Sequence, residues 1–226
     1  MENNSNDNFS IEKPNLIVCE GKDDVGFFYN FLKSFKDGTD DRVQVFGAGS
    51  DKAIRPFIKN IHLSPRFDML RSLTIIRDSD NKAEDYSKSI RGALKDAGFP
   101  VPDKPCRVAS GPRPGGTEII NTGYALLPDF CSEQTVGELE NLCLDILDKA
   151  NPDSEKLLNI AENALLNAEK QGLSFKKRYK NKLHTYLSLS NTFVGLKLGE
   201  SAKANAFNFA AVELEPLRKL LSDIIE

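Results

Sequence analysis

The sequence holds only two histidines, His62 and His184, and four cysteines, Cys19, Cys106, Cys131 and Cys143. So few imidazoles argue against histidine-rich zinc or iron chemistry, and both are expected at the surface or in packing roles. No two cysteines stand as Cys-x-x-Cys, which argues against a structural zinc site. Cys19 falls in an apolar run, where a reduced buried thiol is the usual occupant, and a cytoplasmic home is expected. No histidine lies near it in sequence, so a nucleophilic role is not expected. No apolar run nears the roughly 18 residues needed to span a bilayer, so no membrane partner is expected. Residues 1–10 are polar and Asn-rich without a hydrophobic signal core, and a disordered tail is expected up to about residue 12. An excess of basic charge is also missing. The 30 Lys and Arg against 33 Asp and Glu give a net charge of −3. That excludes a strongly basic nucleic-acid binder but leaves room for a local basic patch or a bound metal.

What remains is an ordinary globular composition: 226 residues, 40% hydrophobic and 28% charged. Leu16 to Cys19 is continuously apolar, as in a strand covered on both faces. Val25, Phe28, Leu32 and Phe35 then recur at helical spacing. Residues 42–46 alternate like a second strand and Gly47-Ala-Gly49 follows, the pattern of a tight turn or, more weakly, of a phosphate loop. A helix over 50–60 is capped by Ser50 or Asp51. Further expectations are a strand over 72–77, a helix over 82–97 ending at Gly98, and a short strand over 106–109. Residues 117–127 read as a hairpin or one bulged strand. From residue 135 the pattern turns helical, over 136–149, 153–171, 174–188 and 213–225, while 193–209 has no clear reading. The alternation predicts an α/β fold, a mostly parallel sheet flanked by helices. The core is expected over 13–130, with a helical C-terminal extension packed on it over 131–226.

Two apolar runs end in acid. Glu20 follows Cys19, and Arg77-Asp78-Ser79-Asp80 follows Leu73 to Ile76. Open α/β sheets place their chemistry at such carboxyl ends. Glu20, Asp78 and Asp80 gathered on one edge repel unless a cation lies between them. In an extended segment residues i and i+2 project to one side, so Asp78 and Asp80 are expected to share a hard cation, Mg²⁺ or Mn²⁺. Each acid also has a plainer reading. Glu20 can meet solvent or cap a helix, Asp23 and Asp24 suit a helix dipole, and Asp80 suits an N-cap.

Glu20-Gly-Lys-Asp-Asp24, a glycine soon after the second strand, and Asp78-Ser-Asp80 together resemble the Toprim domain. That domain is shared by topoisomerases, bacterial primases, RecR-type repair proteins and OLD-type nucleases. The whole chain, through Gly137-Glu-Leu-Glu140, Lys182 and Phe207-Asn-Phe209, is similar to a small Toprim-related family of unknown function. The resemblance implies Mg²⁺-dependent phosphodiester hydrolysis of nucleic acid, DNA before RNA. It implies Glu20 as catalytic acid or base and metal ligand, with Asp78 and Asp80 holding Mg²⁺. By the OLD-type pattern it adds Asp24 and Glu140 as ligands and Lys182 as the catalytic lysine.

Lys176-Lys-Arg-Tyr-Lys180-Asn-Lys182 places five basic residues in seven. It is a solvated helix face or a surface that steers a phosphate backbone through Lys176, Lys177, Arg178 and Lys180. Phe175, Tyr179, Lys182 and Tyr186 fall near one stripe, which turns Lys182 inward, toward the sheet. Thr135-Val-Gly-Glu138 reads as a capping box, whereas Glu140 has no such local purpose. Three functions therefore compete: the nuclease; a non-catalytic module of a defence or repair complex with a protein partner or a second copy; and a small-molecule phosphatase using Asp-x-Asp. Asn81-Lys82 counts against the last. A topoisomerase or primase would need further domains.

Overall fold

The computed structural model describes residues 9–35, 38–148 and 153–225. Its strands are β1 (Asn15–Cys19), β2 (Val43–Gly47), β3 (Ser72–Asp78), β4 (Val108–Pro112) and β5 (Ile119–Leu127). They form one sheet in the order β2-β1-β3-β5-β4. All neighbours run parallel except β4 on β5. Cys19 pairs with Gly47, Val18 with Ile75, and Asp78 with Leu127. The parallel strands therefore end on one edge, and the residues after them, Glu20 among them, share that edge.

The pleat sends alternate residues to opposite faces. Ile17, Cys19, Ile76, Ala125 and Leu127 enter one core, and Leu16, Val18, Ile75, Tyr124 and Leu126 the other. Both faces are covered, which is why Leu16–Cys19 and Tyr124–Leu127 are apolar without alternation. On the second face lie α3 (Asp51–Asn60) and α4 (Ala83–Asp96). The first face takes α1 (Lys22–Lys33), α5 (Leu139–Asp145), α7 (Arg178–Leu189), α8 (Leu198–Lys203) and α9 (Glu215–Ile224). The short α2 (Thr39–Arg42) leads into β2, and α6 (Ser154–Lys170) packs beside α7. Among the described residues no helix is long and apolar enough to cross a membrane.

Several expectations are corrected. Residues 1–8 of the expected tail lie outside the described residues, but Phe9 and Ile11 are anchored. Ile11 is fully buried, its N–H donates to the Pro65 carbonyl at 3.2 Å, and Phe9 meets the rings of Phe46 and Phe57. Two apolar side chains in a polar stretch are enough to dock it. Ile11→Ala is expected to cost about 2–4 kcal/mol in urea denaturation; a loss below about 1 kcal/mol would mean that this segment is not part of the core.

Residues 117–127 make a single strand from Ile119 rather than a hairpin, and its pairing register has no bulge. Gly123 sits inside β5 because a Cβ there would stand 3.0 Å from Ile224 Cδ1 and 3.1 Å from Leu220 Cδ1 of α9. β4 lies two residues later than expected and is antiparallel. Ser50 takes the N-cap position of α3 without a side-chain hydrogen bond. Residues 193–209 contain α8 and the Phe207 and Phe209 rings, which pack on Phe27 of α1. The helix expected over 136–149 spans only Leu139–Asp145, after which Leu147 bridges to Phe207; residues 149–152 lie outside the described residues. Cys19 and Cys143 are free and buried, whereas Cys106 and Cys131 form a disulfide with Cα atoms 5.1 Å apart. The buried thiol expected at Cys19 is present, and the Cys106–Cys131 pairing is one the spacing of the cysteines did not suggest.

Candidate active site

The edge where β1, β2 and β3 end is built by backbone hydrogen bonds before any side chain acts. The Ala48 N–H donates to the Cys19 carbonyl at 2.8 Å and the Gly49 N–H to the Glu20 carbonyl at 2.7 Å, tying the two strand ends together. Gly47 is needed here, since a Cβ would stand 2.9 Å from the Gly21 carbonyl oxygen. Gly21 opens α1, and its N–H donates to Asp24 Oδ2 at 2.7 Å. Asp24 thus caps its own helix and is held against the Glu20-Gly21 turn.

Past β3 the chain turns sharply. The N–H groups of Ser79 and Asp80 both donate to the Gly137 carbonyl, and the Gly137 N–H donates back to the Asp80 carbonyl at 2.8 Å. Asp80 takes the left-handed backbone region, φ 49°. Strand alternation therefore stops before it, and the expectation that Asp78 and Asp80 project together fails. Asp78 enters the cleft between strand ends, and its Oδ1 accepts the Leu139 N–H at the start of α5 at 2.9 Å. Asp80 stands in the neighbouring groove, where its carboxylate accepts from Tyr86 OH at 3.3 Å and lies 3.6 Å from Lys177 Nζ. The N-cap of α4 is Lys82, not Asp80.

The cleft has a volume of about 350 Å³ and is lined by Glu20, Asp24, Asp78, Glu140, Lys177 and Lys180, with Glu138 at its border with the groove. Its carboxyl groups are strongly perturbed. Burial pushes Asp78 up to about 8, helped by the negative charges of Asp24, Glu20 and Glu140. Burial likewise pushes Glu20 up to about 7, against the pull of Arg77 and with Asp24 adding to the rise. Asp24 is pushed up to about 6 by burial, opposed by its bond from Gly21. Cys19 behind them is a thiol held protonated by burial first and by the same acids second, which agrees with a packing role.

Cations answer these charges from two directions. Arg77 at the end of β3, nearly fully buried, stacks on the Tyr86 ring at 3.5 Å and places Nη2 3.2 Å from Glu20 Oε1. The two atoms lack hydrogen-bond alignment, and neither has another partner among the described residues. From the other side Lys180 Nζ pairs with Glu140 at 2.8 Å and Lys177 Nζ with Glu138 at 2.7 Å. Sequence reasoning gave Arg77 no part, though an arginine closing an apolar strand beside Asp78 was the available signal.

The basic run divides differently from the expectation. The buried stripe of α7 is Leu183, Tyr186 and Leu187. Lys182 is not turned toward the sheet edge; it pairs with Glu162 of α6 at 3.0 Å. Arg178 is held by Glu162 and Glu169, so it too faces α6. Lys177 and Lys180, expected on the solvent side, face the carboxylates, and Lys176 stays exposed. Thr135 does not cap α5. Glu138 is the N-cap, with its N–H donating to Asn141 Oδ1 at 3.0 Å. His62 and His184 are both exposed.

An all-oxygen donor set, mutually repelling and including the unsatisfied Glu20 Oε1, fits a hard divalent cation in chemistry. Among the described residues no three acidic, histidine or cysteine side chains stand as a ready-made metal cage, so such a cation has to draw them together.

Comparison with known proteins returns no match among curated proteins and none among solved structures. One family profile matches residues 14–226, and its description is "Protein of unknown function (DUF3226)". That span takes in every strand and helix from β1 to α9, and the chain belongs to this family.

Proposed function

We propose that this protein is a Mg²⁺-dependent phosphodiester hydrolase acting on nucleic acid, a Toprim-type nuclease. The observation that carries this reading is the meeting of Glu20, Asp24, Asp78 and Glu140 with Lys177 and Lys180 in one cleft at the sheet's carboxyl edge. Glu20, Asp24, Asp78 and Glu140 would hold the metal, with Asp80 at the rim. Bound there, Mg²⁺ supplies charge for the non-bridging oxygens and makes water a better nucleophile. Lys177 and Lys180 bring point charges to a phosphate at the mouth of the cleft. In the metal-free cleft burial pushes Glu20 up to about 7; beside a bound cation it would fall back and stand as an ionised carboxylate suited to accept a proton. Arg77 fixes that carboxylate from behind.

A second reading, a non-catalytic binding module, is favoured by one observation. The protein's own lysines already neutralise Glu138 and Glu140. Incubating a supercoiled plasmid and single-stranded DNA with Mg²⁺ or Mn²⁺ separates the two. The wild type should nick or cut, and Glu20→Gln should lose at least about 100-fold in rate. An inert wild type with either metal, or a variant as active as the wild type, would overturn the hydrolase reading.

A further inference from the structure

Beside the acidic cleft, across Glu138, Glu140, Lys177 and Lys180, lies a second groove of about 530 Å³. That volume is in the range of small-ligand sites. Besides those shared residues its lining includes Asp80, Val136, Phe175, Lys176, Arg178 and Tyr179. Tyr179 is 58% exposed and Val136 66% exposed, and Phe175 is half-buried. Tyr179 stands four residues before Leu183, on the stripe by which α7 packs, yet its ring lies beyond the core and faces the groove. Lys176, exposed beside it, has no ion pair among the described residues. Arg178 and Lys180 occupy the first turn of α7 with no acid there, against the sense of the helix dipole.

We propose that this groove is a stacking subsite for single-stranded nucleic acid. It holds one base on Tyr179 and a flanking phosphate on Lys176, with Lys177 and Lys180 exchanging Glu138 and Glu140 for the next, and it delivers the following phosphodiester to the acidic cleft. This rests on the hydrolase reading for the fate of the strand, but not for its binding. A free base has an uncovered π-face for an aromatic ring, and a lysine-lined groove tracks its backbone. In a duplex the bases are stacked on one another, and Tyr179 has no face to meet. The subsite therefore selects single strands.

The test is fluorescence anisotropy with a labelled short oligothymidine and the same strand in a duplex, on the full chain with Ca²⁺ present. The single strand should bind at least about 10-fold tighter than the duplex. Tyr179→Ala should weaken single-strand binding by about 5- to 100-fold, while Tyr179→Phe stays within about 2-fold. Lys176→Ala should lower the slope of log affinity against log salt by about 0.7. A duplex bound as tightly as the single strand, or Tyr179→Ala binding like the wild type, overturns the subsite. Cleavage of the same oligothymidine with Mg²⁺ keeps the two proposals apart. Tyr179-dependent binding without any cleavage removes the hydrolase and leaves the subsite, whereas cleavage by a Tyr179→Ala variant that binds normally removes the subsite and leaves the hydrolase.

Discussion

Asp78→Asn is expected to make the metal-free protein more stable and, on the hydrolase reading, to cost it most of its metal-dependent cleavage. Asp78 is buried among Asp24, Glu20 and Glu140, and its carboxyl is pushed up to about 8. The unfolded chain ionises the same group near pH 4. Between those values the folded state binds a proton that the unfolded state does not. Stability therefore falls as pH rises through this window. Glu20 and Asp24, displaced upward to about 7 and about 6, act in the same sense. In EDTA the melting temperature of the wild type should fall steadily from pH 5 to pH 8.5. Asparagine keeps an oxygen to accept the Leu139 N–H and carries no charge. At pH 8 it should add on the order of 3 kcal/mol. For a chain of this size that raises the melting temperature by about 5–10 °C. Cleavage should fall at least about 100-fold, because the same substitution removes a charge from the donor set. A flat melting profile across pH 5 to 8.5, or a variant melting below the wild type at pH 8, would contradict this account of the cleft.

Gly26→Ala should be strongly destabilising, although alanine is the better helix former by about 1 kcal/mol. Gly26 of α1 crosses Gly199 of α8 so closely that an added Cβ would stand 2.7 Å from Gly199 Cα. The obstacle is backbone, so no side chain can rotate aside. Either α8 moves away or α1 bends, at an expected cost of about 2–3 kcal/mol. Moving α8 also moves Leu198, which lines the acidic cleft and is buried in the main core. On the hydrolase reading, metal-dependent cleavage should fall with stability. Gly92→Ala in α4 is the internal control. Its Cβ meets nothing within 4 Å, and it should gain up to about 1 kcal/mol. If both variants melt at or above the wild-type temperature, the close crossing does not exist in solution.

Local pattern determined a good part of this protein. Continuous apolarity over 16–19, and a run over 73–76 interrupted only by Thr74, marked two strands buried on both faces. The acids that follow them, Glu20 and Asp78, reach the common edge because parallel strands end together. The helices expected over 50–60, 82–97 and 153–171 lie within a residue of α3, α4 and α6 at each end. Period and polarity are properties of neighbouring residues, so a sequence displays them directly.

The rest was decided by tertiary structure. Asp80 leaves the strand because Gly137, far along the chain, captures its backbone. Lys177 and Lys180 rather than Lys182 face the acids because the buried stripe of α7 runs through Leu183, and one residue of phase is 100° of rotation. The choice of Arg77 for Glu20, of Glu162 for Lys182 and of Cys131 for Cys106 has the same character. Each partnership joins residues that are neighbours in space only after helices pack on the sheet. Charge and thiol chemistry are nearly indifferent to which of several partners they meet, and packing of the apolar faces selects one.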